Sequence, residues 1–398
     1  MRITALTLVM SLSLAYFATT HAGRVLLTIY ALELGAQPFA MGALAATFSS
    51  LPMLLSWTVG RLSDRFGPRW LLALGALGGT CGLLVPYLLP GLPSLYAASG
   101  LLGLSFAFYI VSLQNLVGQV SKPETRVKNF SNFSLIASLT NFVGPMLAGF
   151  SIDHAGLSNA CLILVLLSLL PVLPLIVWGR MLHGGSKASG PGESLRGMLS
   201  DKRVRRVLII SSLVQFGLDL FQFYMPIYAH SLGLSAGAIG LILATFSAAT
   251  FVVRAALPPL AARYSEETVL AYAFFSGALC FLLLPLFKSA VMLMLIAFVF
   301  GLGLGCGPPI TMMLTFAQSA SGRSGEALGL RLTVNYLARV AGPLMFGSIA
   351  SGFGLFPVFW INALMLGAGG LISRTGAAKR QEKRIAVPPD SPDDSAKK

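Results

Sequence analysis

Stretches apolar enough to cross a bilayer, which takes about 20 residues in a helix, recur along the whole 398-residue chain, from residues 3–32 at one end to residues 355–372 at the other. Twelve such spans can be drawn. Lipid offers no water to a backbone amide, so each span must bond its own amides as an α-helix or close into a barrel. These runs are continuously apolar and lack the alternation of barrel strands. The expected class is an all-α membrane protein with twelve transmembrane helices. A chain that is 55% hydrophobic and 11% charged, with a mean hydropathy of +0.78, fits that solvent.

The first span is expected to stay in place and not be cleaved as a leader, because its apolar run continues to Leu34 without a cleavage site. Cys81, Cys161, Cys280 and Cys306 all fall within spans, without CxxC or metal-ligand spacing, and read as small packing residues. No metal or cofactor is expected.

A formal charge of +14 raises the question of nucleic acid, but the placement of the basic residues answers it differently. They cluster in connection 2–3 (Arg61, Arg65, Arg69), connection 4–5 (Lys122, Arg126, Lys128), connection 6–7 (Arg180 to Arg206) and after Arg374, while the intervening connections hold almost none, Lys288 excepted. This is the positive-inside pattern, so both termini are expected in the cytoplasm of a bacterial-type inner membrane. The Lys202 to Arg206 cluster reads as topogenic, and no nucleic acid partner is expected.

The expected organisation is an N-terminal six-helix bundle over residues 1–182, a linker over 183–202, a C-terminal bundle over 203–375 and a disordered polar tail over 376–398. The linker, "HGGSKASGPGESLRGMLSD" from His183, is rich in Gly and Ser. An internal repeat supports the division. "YALELGAQPFAMGALAATFS" from Tyr30 and "YAHSLGLSAGAIGLILATFS" from Tyr228 agree at 10 of 20 positions, an offset of 198. The same offset carries Gly103 onto Gly301, Gly144-Pro145 onto Gly342-Pro343 and Gly156 onto Gly354. Duplicated six-helix halves with a site between them near the bilayer midplane are a known transporter construction.

Residues 60–69, "GRLSDRFGPR", resemble the loop 2–3 signature of the major facilitator superfamily, G-x-L-x-D-R-x-G-R/K. Here it places Gly60, Asp64, Arg65, Gly67 and Arg69, with glycines for a tight turn and arginines at the inner surface. The resemblance implies two pseudo-symmetric six-helix bundles, a cavity lined by spans 1, 2, 4, 5, 7, 8, 10 and 11, and a cytoplasmic gate in which Asp64 latches onto the start of span 11 near Glu326. The second half carries Ala262 where Asp64 sits in the first, so one such latch is expected. "GPMLAG" from Gly144 and Pro145 and "GPLMFG" from Gly342 and Pro343 resemble the Gly-Pro motif of efflux members; a bend with close helix packing is the other reading. The R-x-x-Q-G stretch of drug exporters is absent from span 4.

Polar residues follow the implied lining. Span 1 carries His21, Arg24 and Thr28 on one face, span 7 Gln215, Asp219 and Gln222, and span 11 Arg331, Asn335 and Arg339. Spans 4 and 5 add Ser105, Tyr109 and Ser112, then Ser134, Ser138 and Asn141. The 198 offset sets His21 opposite Asp219 and Arg24 opposite Gln222. An unpaired charge at the bilayer centre costs roughly 2.5–3.5 kcal/mol, so such groups pair or line a wet cavity.

Two mid-membrane cations, Arg24 and Arg339, against one carboxylate, Asp219, leave the centre net positive and suggest an anionic solute held in a bidentate fork. Tyr109, Asn141, Gln222 and Asn335 complete the expected substrate site. The structural alternatives are that Arg24 pairs with Asp219 to join the halves, and that Arg339 sits in a network with Asn141 and Asn335. Asp219 and His21 are the candidates for carrying a coupling proton. Arg254 and Arg331 lie near the cytoplasmic ends, where snorkelling is preferred over a part in the gate.

The function expected is a secondary active transporter that exports a small organic solute by alternating access, coupled to protons and acting as a monomer, since one chain holds both halves. Alternatives are a proton-symport importer of organic anions or nutrients and, in a different class, a non-transporting sensor on a transporter scaffold. No enzyme is expected: there is no phosphate loop, HExxH or GxSxG with a partner histidine, and His21, His154, His183 and His230 lie on separate segments.

Overall fold

A computed structural model describes residues 4–36, 38–182, 195–319 and 323–385, and among them the regular structure is helical. The first half consists of α1 (Ala5–Glu33), α2 (Pro38–Phe66), α3 (Pro68–Leu88), α4 (Leu92–Val120), α5 (Arg126–Ser168) and α6 (Val172–Trp178). A short α7 (Leu195–Ser200) precedes the second half: α8 (Lys202–Ser231), α9 (Ala236–Arg263), α10 (Glu266–Leu283), α11 (Ala290–Leu304), α12 (Gly307–Gln318), α13 (Ser324–Phe353) and α14 (Leu355–Ile385). We call the face on which α1 begins the near face and the opposite one the far face.

Ten described segments are long and apolar enough to cross a membrane. One of them, Pro123–Trp178, runs for 56 residues, enough for two crossings, and breaks at Gly156, whose φ of 75° and ψ of 169° are not helical. α13 is outside that set although its 30 residues reach about 45 Å; Glu326, Arg331 and Arg339 lower its apolarity. Twelve crossings are accommodated in this way.

Helix starts are set by side-chain caps. Thr4 accepts from the Thr7 amide, Ser235 from Ala238 and Ser265 from Thr268, each satisfying a donor that the first turn leaves unbonded. α3 starts instead with Pro68 at its first position after Gly67 at φ 84°, a left-handed conformation open to glycine.

The repeat seen in the sequence is repeated in the backbone. Gly35 and Gly233 take φ of 73° and 78°, and Gly156 and Gly354 take 75° and 82°, each pair 198 apart. The Leu34 amide donates to Tyr30 O at 3.1 Å, as Leu232 does to Tyr228 O at 3.2 Å. A Cβ on Gly103 would collide with the Phe48 carbonyl oxygen, and one on Gly301 with that of Phe246. Helices cannot gain hydrophobic free energy from one another in lipid, so close backbone approach at small residues holds them together.

At the C-terminal end the helix goes further than the sequence suggested. α14 continues to Ile385, ten residues into the tail expected to be disordered from 376. The run "AAKRQEKR" consists of strong helix formers, and its cations suit a helix C-terminus. Residues 183–194 of the linker and 386–398 of the tail lie outside the described residues.

Candidate functional site

On the near face α2 and α13 touch backbone to backbone. A Cβ on Gly60 would overlap the Gly325 carbonyl, and one on Gly329 that of Ser56. Gly60 therefore serves close approach inside a helix; of the two motif glycines only Gly67 makes the turn. Asp64, 7% exposed, reaches the start of α13: its Oδ1 accepts from the Gly325 amide at 2.9 Å and its Oδ2 from the Glu326 amide at 2.8 Å. A carboxylate there meets both the unbonded amides and the positive end of the helix dipole. Asn115 Nδ2 donates to Asp64 Oδ1 at 3.0 Å, and Ser324 donates to Asn115 Oδ1 at 2.6 Å. Arg61 pairs with Glu326 at 3.1 Å while lying over the Trp57 ring. Arg65 and Arg69 lie beside Phe66 and Trp70.

Two further arginines cross between the halves in the same layer, which is a correction to the snorkelling expected of them. Arg331, 3% exposed, donates to Gln114 Oε1 at 2.9 Å and to Ser211 Oγ at 3.3 Å. Arg254 donates to Gly305 O at 3.0 Å, to Ser134 O at 3.2 Å and to Ser138 Oγ. Position along a helix gives depth but not direction, and both side chains point inward. With Arg126 over Phe316 and the Phe316 ring pressed on Gly118, these contacts close the near face.

Above the seal, on the far-face side of the first half, lies a cavity of about 320 Å³ lined by His21, Arg24, Thr28, Phe48, Asn141 and Pro145 among others. Arg24 lies 4.7 Å over the Phe48 ring, and among the described residues no carboxylate pairs with it. Asp219 is held by Arg339 instead, Nε to Oδ2 at 3.1 Å and Nη2 to Oδ1 at 3.2 Å, with Gln215 Nε2 donating to Oδ1 at 2.9 Å. Arg339 also lies 5.5 Å over Tyr336, and Arg24, Arg339 and Asp219 all come close enough to Tyr336 for their charges to interact with it.

The other candidates fall in different places. Gln222 is exposed on α8. Asn335 is buried and accepts from Ser211 at 3.0 Å, so it belongs to the network of Arg331 and not to the cavity. Tyr109 is fully buried and stacked on Tyr16 at 3.7 Å. Gly144 packs on α1, where its Cβ would stand 2.5 Å from His21 Cβ, and Gly342 packs on the Phe216 ring. The side chain of Pro343 lies outside the described residues. Gln114 and Asn115 escaped the sequence reading; a polar pair buried near the end of an apolar span was the available signal.

Comparison with known proteins agrees with this architecture. A family model described as Major Facilitator Superfamily matches residues 8–343 and 207–392. The quinolone resistance protein NorA of Staphylococcus aureus (strain Mu50 / ATCC 700699) is 24% identical over 341 residues, covering 81% of this chain and 84% of that one. The uncharacterized MFS-type transporter YuxJ of Bacillus subtilis (strain 168) is 21% identical over 334 residues, covering 80% and 83%. Among solved structures, the human organic anion transporter MFSD10 (TETRAN) superposes with a TM-score of 0.76 at 17% identity over 93% of this chain and 98% of that one. A bacterial homologue of the iron transporter ferroportin in an outward-facing state gives 0.75 at 16% over 96% and 100%.

Proposed function

The chain belongs to the Major Facilitator Superfamily, and on that premise we propose that it is a secondary active transporter of a bacterial-type inner membrane that exports a small amphipathic organic anion by alternating access, as a monomer with cytoplasmic termini. The near face, which carries the basic connections, is then the cytoplasmic one. The observation that carries the reading is Arg24, a cation in a cavity with no carboxylate partner among the described residues, lying over Phe48. Such a guanidinium can take a carboxylate in a bidentate fork, and the aromatic and aliphatic lining suits an apolar body. Export draws support from the similarity to quinolone resistance proteins, and an anion leaving a negative interior gains about 2.3 kcal/mol per 100 mV.

A second reading, proton-symport uptake of the same anion, is favoured by the Asp219–Arg339 pair. Protonating Asp219 releases Arg339 and adds positive charge near Arg24, so proton and anion binding reinforce one another. Of the two candidates, Asp219 and His21, Asp219 is favoured as the group through which a proton enters the cycle.

The test is a thermal-shift panel in nanodiscs with small organic anions, cations and neutral amphiphiles, followed by flux in oriented proteoliposomes. A ligand at a hundredfold excess over its Kd stabilises by about 2.7 kcal/mol. Stabilisation by anions that Arg24→Ala removes supports the site; stabilisation by cations or neutral amphiphiles that ignores Arg24→Ala overturns it. Flux driven by an interior-negative potential marks export, and flux driven by external acid marks symport.

A further inference from the structure

Arg339 already holds a carboxylate in the way a ligand would be held. Its Nε and Nη2 take the two oxygens of Asp219 at 3.1 and 3.2 Å, a bidentate fork. The two side chains are 42% and 19% exposed, so another carboxylate can reach the fork and exchange with Asp219. Arg24 is exposed as well, in the cavity over Phe48.

The two forks serve one place. Arg24 and Arg339 come close enough for each to feel the other's charge, and Tyr336 stands where Arg24, Arg339 and Asp219 all act on it, with the Arg339 guanidinium 5.5 Å over its ring. This centre therefore carries two cations and one anion. Sealing a net charge from water inside a bilayer is costly, so an occluded centre favours contents that bring the sum to zero. A monoanion does so with Asp219 ionised. A dianion does so when Asp219 takes a proton, and only then are both forks free.

We propose that the central site takes an organic dicarboxylate together with one proton: one carboxylate in the fork of Arg24, the other in the fork that Arg339 withdraws from Asp219, and the proton on Asp219. The inference deepens the proposed function and rests on its reading of Arg24 as an anion site. Binding and protonation are then linked, each raising the affinity for the other. Few groups face Asp219. Arg339 and Tyr336 come from α13 and Arg24 from α1, with His21 beside Arg24; Gln215, on α8 itself, is neutral. Of the other helices packed on α8, α11, α12 and residues 355–373 of α14 hold no titratable side chain. α9 holds only Arg254 in the seal and Arg263 at its near end, and α7 packs at the near end of α8, beside Leu208.

The experiment compares isophthalate and terephthalate, which hold two carboxylates at two fixed separations, with their monomethyl esters and with benzoate. Binding to the full chain in nanodiscs is read by titration calorimetry between about pH 6 and 8, where the ligands' own carboxylates stay ionised. Buffers of different ionisation enthalpy count the protons taken up. At the acid end at least one dicarboxylate should bind roughly tenfold or more tighter than its monoester, with close to one proton taken up per ligand. As pH rises Asp219 ionises and reclaims Arg339, so the dicarboxylate Kd should rise by up to about tenfold per pH unit. Asp219→Asn, which frees Arg339 at every pH, should keep the preference and lose the proton uptake. Asp219→Asn with Arg339→Gln, which removes both charges of the pair and leaves none unpaired, should erase the preference while benzoate still binds. A monoester as tight as its dicarboxylate, a preference kept in the double variant, or dicarboxylate binding with no proton uptake would overturn the inference and leave Arg24 standing as an anion site. If benzoate, the monoesters and the dicarboxylates all fail to bind, that reading falls as well.

Discussion

Arg339 grips Asp219 through two parallel hydrogen bonds of 3.1 and 3.2 Å, and the pairing leaves Arg24 without a carboxylate among the described residues. The sequence set His21 opposite Asp219 and offered Arg24 as the carboxylate's partner, with Arg339 in a network with Asn141 and Asn335; the structure pairs Asp219 with Arg339 instead. The choice of Arg339 places the two cations differently: one is held by a carboxylate, the other lines the cavity over Phe48.

That division predicts a pH dependence. With Asp219 protonated, Arg339 faces a neutral acid and the charge beside Arg24 and Tyr336 becomes more positive, so the apparent Kd for benzoate should fall as pH falls. Asp219→Asn should bind benzoate tightly and lose that dependence, and transport should no longer respond to a pH gradient. Equilibrium binding across a pH series checks the first point and proteoliposome flux the second. Coupling that survives in Asp219→Asn would move the proton elsewhere, with His21 the next candidate.

Asp64 is expected to bias the state of the whole molecule. It closes two unbonded amides at the start of α13 and accepts from Asn115, and loss of a helix cap costs about 1–2 kcal/mol. Asp64→Ala should therefore shift the balance toward an open near face by roughly 5–30-fold. The readout is labelling of Thr315→Cys, 4% exposed within the seal layer next to Phe316, by a membrane-impermeant thiol reagent applied from the near face. Labelling at the rate of the parent would mean that Arg61, Arg254 and Arg331 hold the seal without it.

Much of the architecture was legible because lipid enforces it. Spans follow from apolar length, and the repeat follows from glycines whose positions the backbone demands, as at Gly156 and Gly354. Asp64 was placed near Glu326 through its motif. Side-chain direction was not legible: Arg254 and Arg331 looked like end-of-span residues, yet each turns inward to the other half. Tyr109 sat on the right helix for the cavity but stacks on Tyr16 in the packed layer. The extra turns of α14 beyond residue 375 reflect propensity acting past the end of the apolar run.

The repeat also makes a packing prediction. A Cβ at Gly103 or Gly301 meets a backbone carbonyl of the neighbouring helix, which cannot swing aside as a side chain would. Gly103→Ala and Gly301→Ala should each destabilise by about 1–3 kcal/mol and lower the thermal midpoint in detergent by similar amounts. Gly149→Ala, where nothing stands within 4 Å, should leave it unchanged. Unequal losses at Gly103 and Gly301 would show that the halves contribute differently to stability in spite of their shared geometry.

The central prediction concerns Arg24. Its guanidinium sits over Phe48 in the cavity shared with His21 and Asn141, so both charge and planarity should count. Arg24→Ala removes both and should weaken benzoate binding roughly 10–100-fold, since a hydrogen bond to a charged group contributes about 1.5–3 kcal/mol. Arg24→Lys keeps a point charge but not the fork, and should fall between the parent and Arg24→Ala. Phe48→Leu should weaken binding only several-fold, because the ring contributes about 0.5–2 kcal/mol through its face and also orients the guanidinium. Uptake of a neutral amphiphile through the same cavity should be insensitive to all three. The series separates two roles that a single substitution confounds: a packing role for Arg24 against Phe48 would make the Ala and Lys variants equally defective toward anions and neutral amphiphiles, whereas recognition of charge makes the order parent, Lys, Ala appear for anions alone.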